Sequence, residues 1–240
     1  YFAKAGIDAT YEDIVLTPQQ FDEKVDDYIA SYDGLNVTVP FKGQILRHVT
    51  PVEDALKCHA VNCIFQRKGY NTDWLGFYNS LTSINVEGPI LLLGAGGVSR
   101  AILYALCKMG HKEILLCNRT MEKALQVKED FSEECEIIVE SFEDLKDVLK
   151  DVKTFINATS IGMFGELFDL NVDDLSHLSL VYDVVYNYTP LQEMANEVGI
   201  TCVDGKALWY HQAVENLKIW DVYEEKIFKE CFEQIVDAES

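Results

Sequence analysis

Basic residues are scarce in this chain. Its 240 residues hold 20 Lys and Arg against 40 Asp and Glu, a formal charge of −20. Nucleic acid and anionic membranes carry phosphates that such a field repels, so neither is expected as a partner. An anionic ligand would need a local positive site. Cysteine never occurs as a CxxC pair. The seven thiols, at 58, 63, 107, 117, 135, 202 and 231, read as reduced core residues of a cytoplasmic protein, not as a disulfide framework or a zinc site. The five histidines show no HExxH spacing, and no metal is expected. No apolar run approaches the roughly 20 residues of a membrane helix. Nothing near Tyr1 reads as a secretion signal. Repeats and low-complexity tracts are lacking too.

What is present suits a folded enzyme-sized protein. Apolar residues make up 48% and charged residues 25%, enough for a core in one large domain or two ordinary ones. Short apolar runs at 90–93, 114–117, 137–139, 154–156, 180–184 and 200–203 read as strands. Helical patterns at 99–109, 121–130, 142–150 and 191–198 alternate with them. Gly110 and Gly199 stand where helices end. Strands alternating with helices predict an α/β fold with a parallel sheet. The start of the chain mixes helix, strand and an apolar "NVTVPFK" run, and the end is helical almost throughout. Two lobes are therefore expected: 1–80 with 208–240, and 81–207 between them.

The middle lobe opens on "ILLLGAGGVSRAILYAL", residues 90–106. A buried strand, a glycine turn and a helix in immediate succession form the dinucleotide fingerprint of a doubly wound Rossmann-type sheet. Gly94 permits the tight turn and Gly96 lets the backbone approach a pyrophosphate. Ala95, Gly97 and Val98 complete the loop, and Ser99 holds the third small-residue position. The helix start then offers free N–H groups to the phosphates. The second strand ends in Asn118, Arg119 and Thr120, where an NAD site would place an acid. An arginine fork suits a 2′-phosphate and a carboxylate repels it. Lys123 adds charge one turn on. NADP is the expected cofactor.

Chemistry for the first lobe comes from "LNVTVPFKGQ", residues 35–44. Val37, Val39 and Phe41 suggest a strand ended by Pro40, with Lys42 delivered just beyond it. "GYNTDWLGF" carries Asp73 at the start of a helical pattern, and "HAVNCIF" sets Asn62 in an apolar run. Hydride exchange with an alcohol needs a group that takes the hydroxyl proton. A lysine and an aspartate in one cleft meet that need. Taken alone, each residue reads first as structural: Asp73 as a helix cap, Asn62 as a loop anchor.

The motifs "NVTVPFKGQ", "AVN", "YNTDWLGF", "LLLGAGGVSRA", "NRT", "NATSIGM", "VYDVVYN" and "GKALWYHQA" follow one another in one order. With them the chain resembles the shikimate dehydrogenase family, over residues 2 to 220. The resemblance implies a two-lobed α/β fold and NADP-dependent interconversion of 3-dehydroshikimate and shikimate. It makes Lys42 and Asp73 the catalytic pair, with Thr38, Asn62, Tyr186 and Gln212 toward the substrate. Gly94 to Ser99 and Asn118, Arg119, Thr120 and Lys123 would bind the cofactor, with Thr159, Ser160, Met163 and Gly205 along it. A small-molecule substrate and a monomer or homodimer are expected.

The sequence departs from the family in places. The match begins inside the family's first helix, without the preceding strand and Ser-x-Ser loop that grip the substrate carboxylate. "YNYTPL" is a shortened segment, and Leu208 stands where Met is usual. Two alternatives stay open: a quinate/shikimate dehydrogenase, and a non-catalytic relative that binds NADP or a metabolite.

Overall fold

The computed structural model describes residues 1–238. After a turn at residues 2–6 the chain forms no regular element until α1 (Pro18–Ser31). Thr17 caps α1 by accepting a bond from the Gln20 N–H, and the Thr17 N–H in turn donates to Gln20 Oε1. Phe21, Val25 and Ile29 recur at helical spacing, so one buried stripe faces the core. Then come β1 (Gly34–Asn36), a 3₁₀ turn (Gln44–His48), β2 (Thr50–Pro51), α2 (Glu53–Lys57), β3 (Cys63–Phe65), β4 (Lys68–Tyr70) and α3 (Asp73–Ser80). The strands form a sheet in the order β1-β3-β4-β2. The β3–β4 hairpin turns on Gln66 and Arg67, both at positive φ, the geometry that matches strand twist.

Next follow β5 (Ile90–Leu93), α4 (Gly97–Lys108), β6 (Glu113–Asn118), α5 (Met121–Asp130), β7 (Glu136–Ser141), α6 (Leu145–Leu149), β8 (Thr154–Asn157), α7 (Val172–Leu175), β9 (Leu180–Asp183), α8 (Pro190–Glu197) and β10 (Thr201–Val203). All six strands are parallel, in the order β10-β9-β8-β5-β6-β7. Two apolar clusters pack on opposite faces of this sheet. Leu92 and Ile102 belong to one, Leu91, Leu93 and Leu191 to the other. β5 is buried residue by residue, each of its four side chains contributing about 1.5–3 kcal/mol. The chain order reverses between β5 and β8, the switch point at which ligands bind in open parallel sheets.

Two helices close the chain: α9 (Gly205–Ile219) and α10 (Glu225–Ala238). α9 crosses α3 at Gly76, where a Cβ would lie 2.8 Å from the Leu208 carbonyl oxygen and 2.9 Å from Gln212 Cβ. Only glycine lets the helices approach this closely.

The expected α/β architecture is present, with three local corrections. Residues 37–41 are not a strand. Val37 N–H still donates to Asn62 O at 2.9 Å, but the chain then turns, with Phe41 N–H bonded to Thr38 O. Pro40 has no N–H for a ladder, Val39 is 76% exposed, and Phe41 is held instead by stacking on Phe21. The helix expected at 142–150 is divided into a 3₁₀ turn (Phe142–Asp144) and α6, because the Ser141 hydroxyl caps at Glu143. The helix that the resemblance starts from is only a turn here.

Candidate active site

Lys42 owes its position to backbone bonds on both sides. Val37 N–H reaches Asn62 O, and Val61 N–H reaches Lys42 O at 2.8 Å, so the turn between them is fastened at both ends to one segment. Asp73 opens α3, where a carboxylate is favoured by the helix dipole. It does not cap the helix: the Trp74 N–H bonds to Asn71 Oδ1 instead. The carboxylate is thereby free for two side chains. Lys42 Nζ donates to Asp73 Oδ2 at 2.7 Å, with side-chain exposures of 15% and 5%. Asn62 Nδ2 donates to Asp73 Oδ1 at 2.9 Å. The pair is nearly dry, and each partner keeps the other from being an unpaired buried charge.

More polar groups converge from α3 and α9. Asn62 Oδ1 accepts the Thr72 N–H at 2.7 Å, and Asn62 Nδ2 also reaches Thr72 Oγ1 at 2.9 Å and Gln212 Oε1 at 3.5 Å. Thr72 donates its hydroxyl to Asn216 Oδ1 at 2.6 Å, and Asn216 Nδ2 donates to Gln212 Oε1 at 2.9 Å. Lys42, Asn62, Asp73 and Gln212 are therefore brought together as expected. Thr38 is exposed and enters this network with no side-chain bond among the described residues. Tyr186 is 40% exposed and rests on Trp209, one turn before Gln212 on α9.

The glycine loop adjoins the pair directly. A Cβ on Gly97 would lie 3.1 Å from Lys42 Cδ and 3.2 Å from Lys42 Cβ, so the lysine stem lies on the first residue of α4. Gly94, at φ +114°, turns under the Ala158 carbonyl, which a Cβ would meet at 2.9 Å. Ser99 is fully buried and accepts the Gly96 N–H through Oγ at 3.3 Å. Its hydroxyl thus closes the turn where glycine or alanine would only have packed. At Gly96 a Cβ would meet nothing within 4 Å. This open face borders a cavity of about 210 Å3, lined by Leu93 to Gly96, Asn118, Arg119, Phe142 and Ala158 to Ile161. The cavity's lining suits a dinucleotide: a side-chain-free loop at a helix start, with an arginine at the second strand's end.

Seven of the fourteen expected cofactor residues line this cavity, among them Gly94, Ala95 and Gly96. Asn118 and Arg119 line it, and Thr159 and Ser160 form the opposite wall. Thr120 begins α5, its carbonyl held by Asn118 Nδ2 at 2.8 Å. Lys123 lies exposed on α5, and Met163 sits just past the lining residues. Gly205 is buried at the start of α9, where a Cβ would lie 2.0 Å from Val184 O. Phe142 lines the cavity although no motif marked it. Asn157 and Asp183, inside two of the motifs, act as scaffolding: Asn157 Nδ2 donates to Asp183 Oδ1 at 2.9 Å and Asn157 Oδ1 holds Thr159. Burial raises the Asp183 carboxyl above its usual 3.8, against the pull of bonds from Thr189, Val185, Gln192 and Asn157.

A parallel-sheet dinucleotide site abutting a lysine–carboxylate pair defines a two-lobed, nicotinamide-dependent dehydrogenase. Two family models match the chain: the shikimate dehydrogenase substrate binding domain over residues 1–64, and shikimate / quinate 5-dehydrogenase over 81–164. A shikimate dehydrogenase (NADP(+)) of Thermotoga maritima is 43% identical over 237 residues, covering 98% of this chain and 91% of the relative. That of Aquifex aeolicus is 38% identical, covering 90% and 82%. A crystal structure of shikimate dehydrogenase from Thermotoga maritima superposes with a TM-score of 0.91 at 42% identity, covering 98% and 91%. The chain belongs to the shikimate dehydrogenase family.

Proposed function

We propose that this protein interconverts 3-dehydroshikimate and shikimate with NADP(H). Lys42 would move the hydroxyl proton, and the observation that carries the reading is its placement. Nζ is held by a buried carboxylate, and the stem lies on the first residue of the nucleotide-binding helix. NADP(H), when bound, supplies the hydride exchange. The chain's own residues do the rest. In the oxidising direction, Nζ of Lys42 accepts the hydroxyl proton as the C–H bond of the alcohol carbon is oxidised. In the reducing direction, it returns that proton to the carbonyl oxygen. Asp73 keeps Nζ aimed and offsets its charge when protonated. Asn62, Thr38, Tyr186 and Gln212 would bind ring hydroxyls, with half-buried Gln212 offering the N–H that Trp209 leaves free. Arg119, exposed at the cavity edge, would take the 2′-phosphate.

In this reading residues 1–80 and 208–240 form the substrate lobe and 81–207 the NADP lobe, with 239 and 240 lying outside the described residues. The lobes meet where α3 packs on α4 and where the Lys42 stem lies on Gly97. No helix of the described residues is long and apolar enough to cross a membrane. The test is steady-state turnover with shikimate or quinate against NADP⁺ or NAD⁺. The highest kcat/KM is expected for shikimate with NADP⁺. A preference for quinate, or for NAD⁺, would reassign the substrate or the role of Arg119. Cofactor binding without turnover of either substrate would leave a binding protein.

A further inference from the structure

We propose that Asn216, on the face of α9 turned toward α3, is a positioning residue that sets the direction of the hydrogen bonds running from Gln212 to Asp73. The inference rests on the dehydrogenase reading and concerns the same site. Carboxamides can be rotated end for end, so a chain of them specifies nothing unless something fixes its polarity. Here both ends are fixed by backbone. At one end Gln212 Nε2 donates to Trp209 O at 3.2 Å, which turns Oε1 the other way. At the other, the Thr72 N–H donates to Asn62 Oδ1 at 2.7 Å, which turns Nδ2 toward Asp73.

Asn216 joins the two ends. It is 4% exposed, donates through Nδ2 to Gln212 Oε1 at 2.9 Å and accepts through Oδ1 from the Thr72 hydroxyl at 2.6 Å. Thr72 has one hydroxyl proton. Asn216 Oδ1 at 2.6 Å takes it ahead of Asn62 Oδ1 at 3.3 Å, so Thr72 Oγ1 is left to accept from Asn62 Nδ2 at 2.9 Å. Each of these bonds then runs from a donor to an acceptor, from α9 through α3 to the Asp73 carboxylate. Reversing Asn216 alone would set its Oδ1 against Gln212 Oε1. Reversing Gln212 as well would set Oε1 against the Trp209 carbonyl. A single arrangement survives, and in it Gln212 keeps one N–H for a substrate hydroxyl while Asn62 Nδ2 faces Asp73.

An apolar side chain at 216 frees Gln212 to rotate. The substrate would then lose the same hydrogen bond in its ground and transition states, which raises KM more than it lowers kcat. Asn216→Leu, close in volume, is expected to raise the shikimate KM between about fivefold and a hundredfold, the range for a buried hydrogen-bond partner left unpaired, with NADP⁺ affinity unchanged. Asn216→Asp puts a second carboxylate near the pair. It should raise KM too, because its carboxylate cannot donate to Gln212 Oε1. Leu217→Ala, a core change at the next residue, provides the control. It loses thermal stability without altering KM. Should Asn216→Leu not fold, Asn216→Asp carries the test. A shikimate KM no different from that of Leu217→Ala would overturn the positioning role alone. Absence of shikimate turnover in the unmodified protein would overturn the functional reading, and this inference with it.

Discussion

Lys42 has three N–H donors, and one of them is committed to Asp73. The carboxylate is not drawn into the first turn of α3, where Asn71 Oδ1 accepts the Trp74 N–H. Asp73→Asn would keep the size, but its amide N–H2 would face either Lys42 or Asn62, both donors. A fall in kcat/KM of about 10²-fold is expected, the lower end for loss of positioned acid–base chemistry, with NADP⁺ affinity preserved. Steady-state kinetics and calorimetry check it together. Arg119 is tested by a cofactor exchange. Arg119→Asp should reverse the preference from NADP⁺ to NAD⁺, because the acid can accept a ribose 2′-OH and repels a 2′-phosphate. An unchanged ratio of kcat/KM values would place the 2′-phosphate elsewhere. At this scale the sequence was legible where a residue's neighbours in the chain are also its neighbours in space, as in the glycine loop. Asn216 was not legible. It follows Gln212 by one helical turn, but its other partner, Thr72, is 144 residues away.

At the scale of elements, the middle sheet could be read because parallel strands buried on both faces are continuous apolar runs, as β5 is. The glycines that end α4 and α8 could be read for a similar reason: Gly110 and Gly199 take positive φ, which other residues avoid. The run at 37–41 misled because its alternation mimics a strand, while its residues serve a turn. The close crossing of α3 and α9 left no periodic signal, since its cause is one glycine. Gly76→Ala would push a methyl group to within 2.8 Å of the Leu208 carbonyl. Such overpacking costs about 1–3 kcal/mol, and because Gln212 lies beside it, KM for shikimate should rise along with the loss of Tm. The segment after β9 depends on Asp183, whose carboxylate gathers Thr189, Gln192 and the Val185 N–H. Asp183→Asn sets an N–H2 against donors and should cost about 1–3 kcal/mol. With its folded pKa raised, Asp183 contributes stability that is full below pH 3.8 and is lost as pH rises through the folded value. The Tm difference between wild type and variant should therefore be largest at low pH and shrink as pH rises. A constant difference would contradict this.

At the scale of the whole molecule, the proposed reading has a chain of charge −20 hold its anionic ligands through local devices: a helix start stripped of side chains, one arginine at a strand end, and one lysine at the cleft. The architecture brings these to a single line, from Arg119 across the glycine loop to Gly97, Lys42 and Asp73. The central claim is that this line couples a nucleotide site to a proton-transfer site. Lys42→Ala tests it most directly, with NADP⁺ binding measured by calorimetry beside shikimate-dependent NADPH formation. The account predicts that binding stays and kcat falls by about 10²- to 10⁴-fold. A variant that binds NADP⁺ and still oxidises shikimate at the unmodified rate would contradict it.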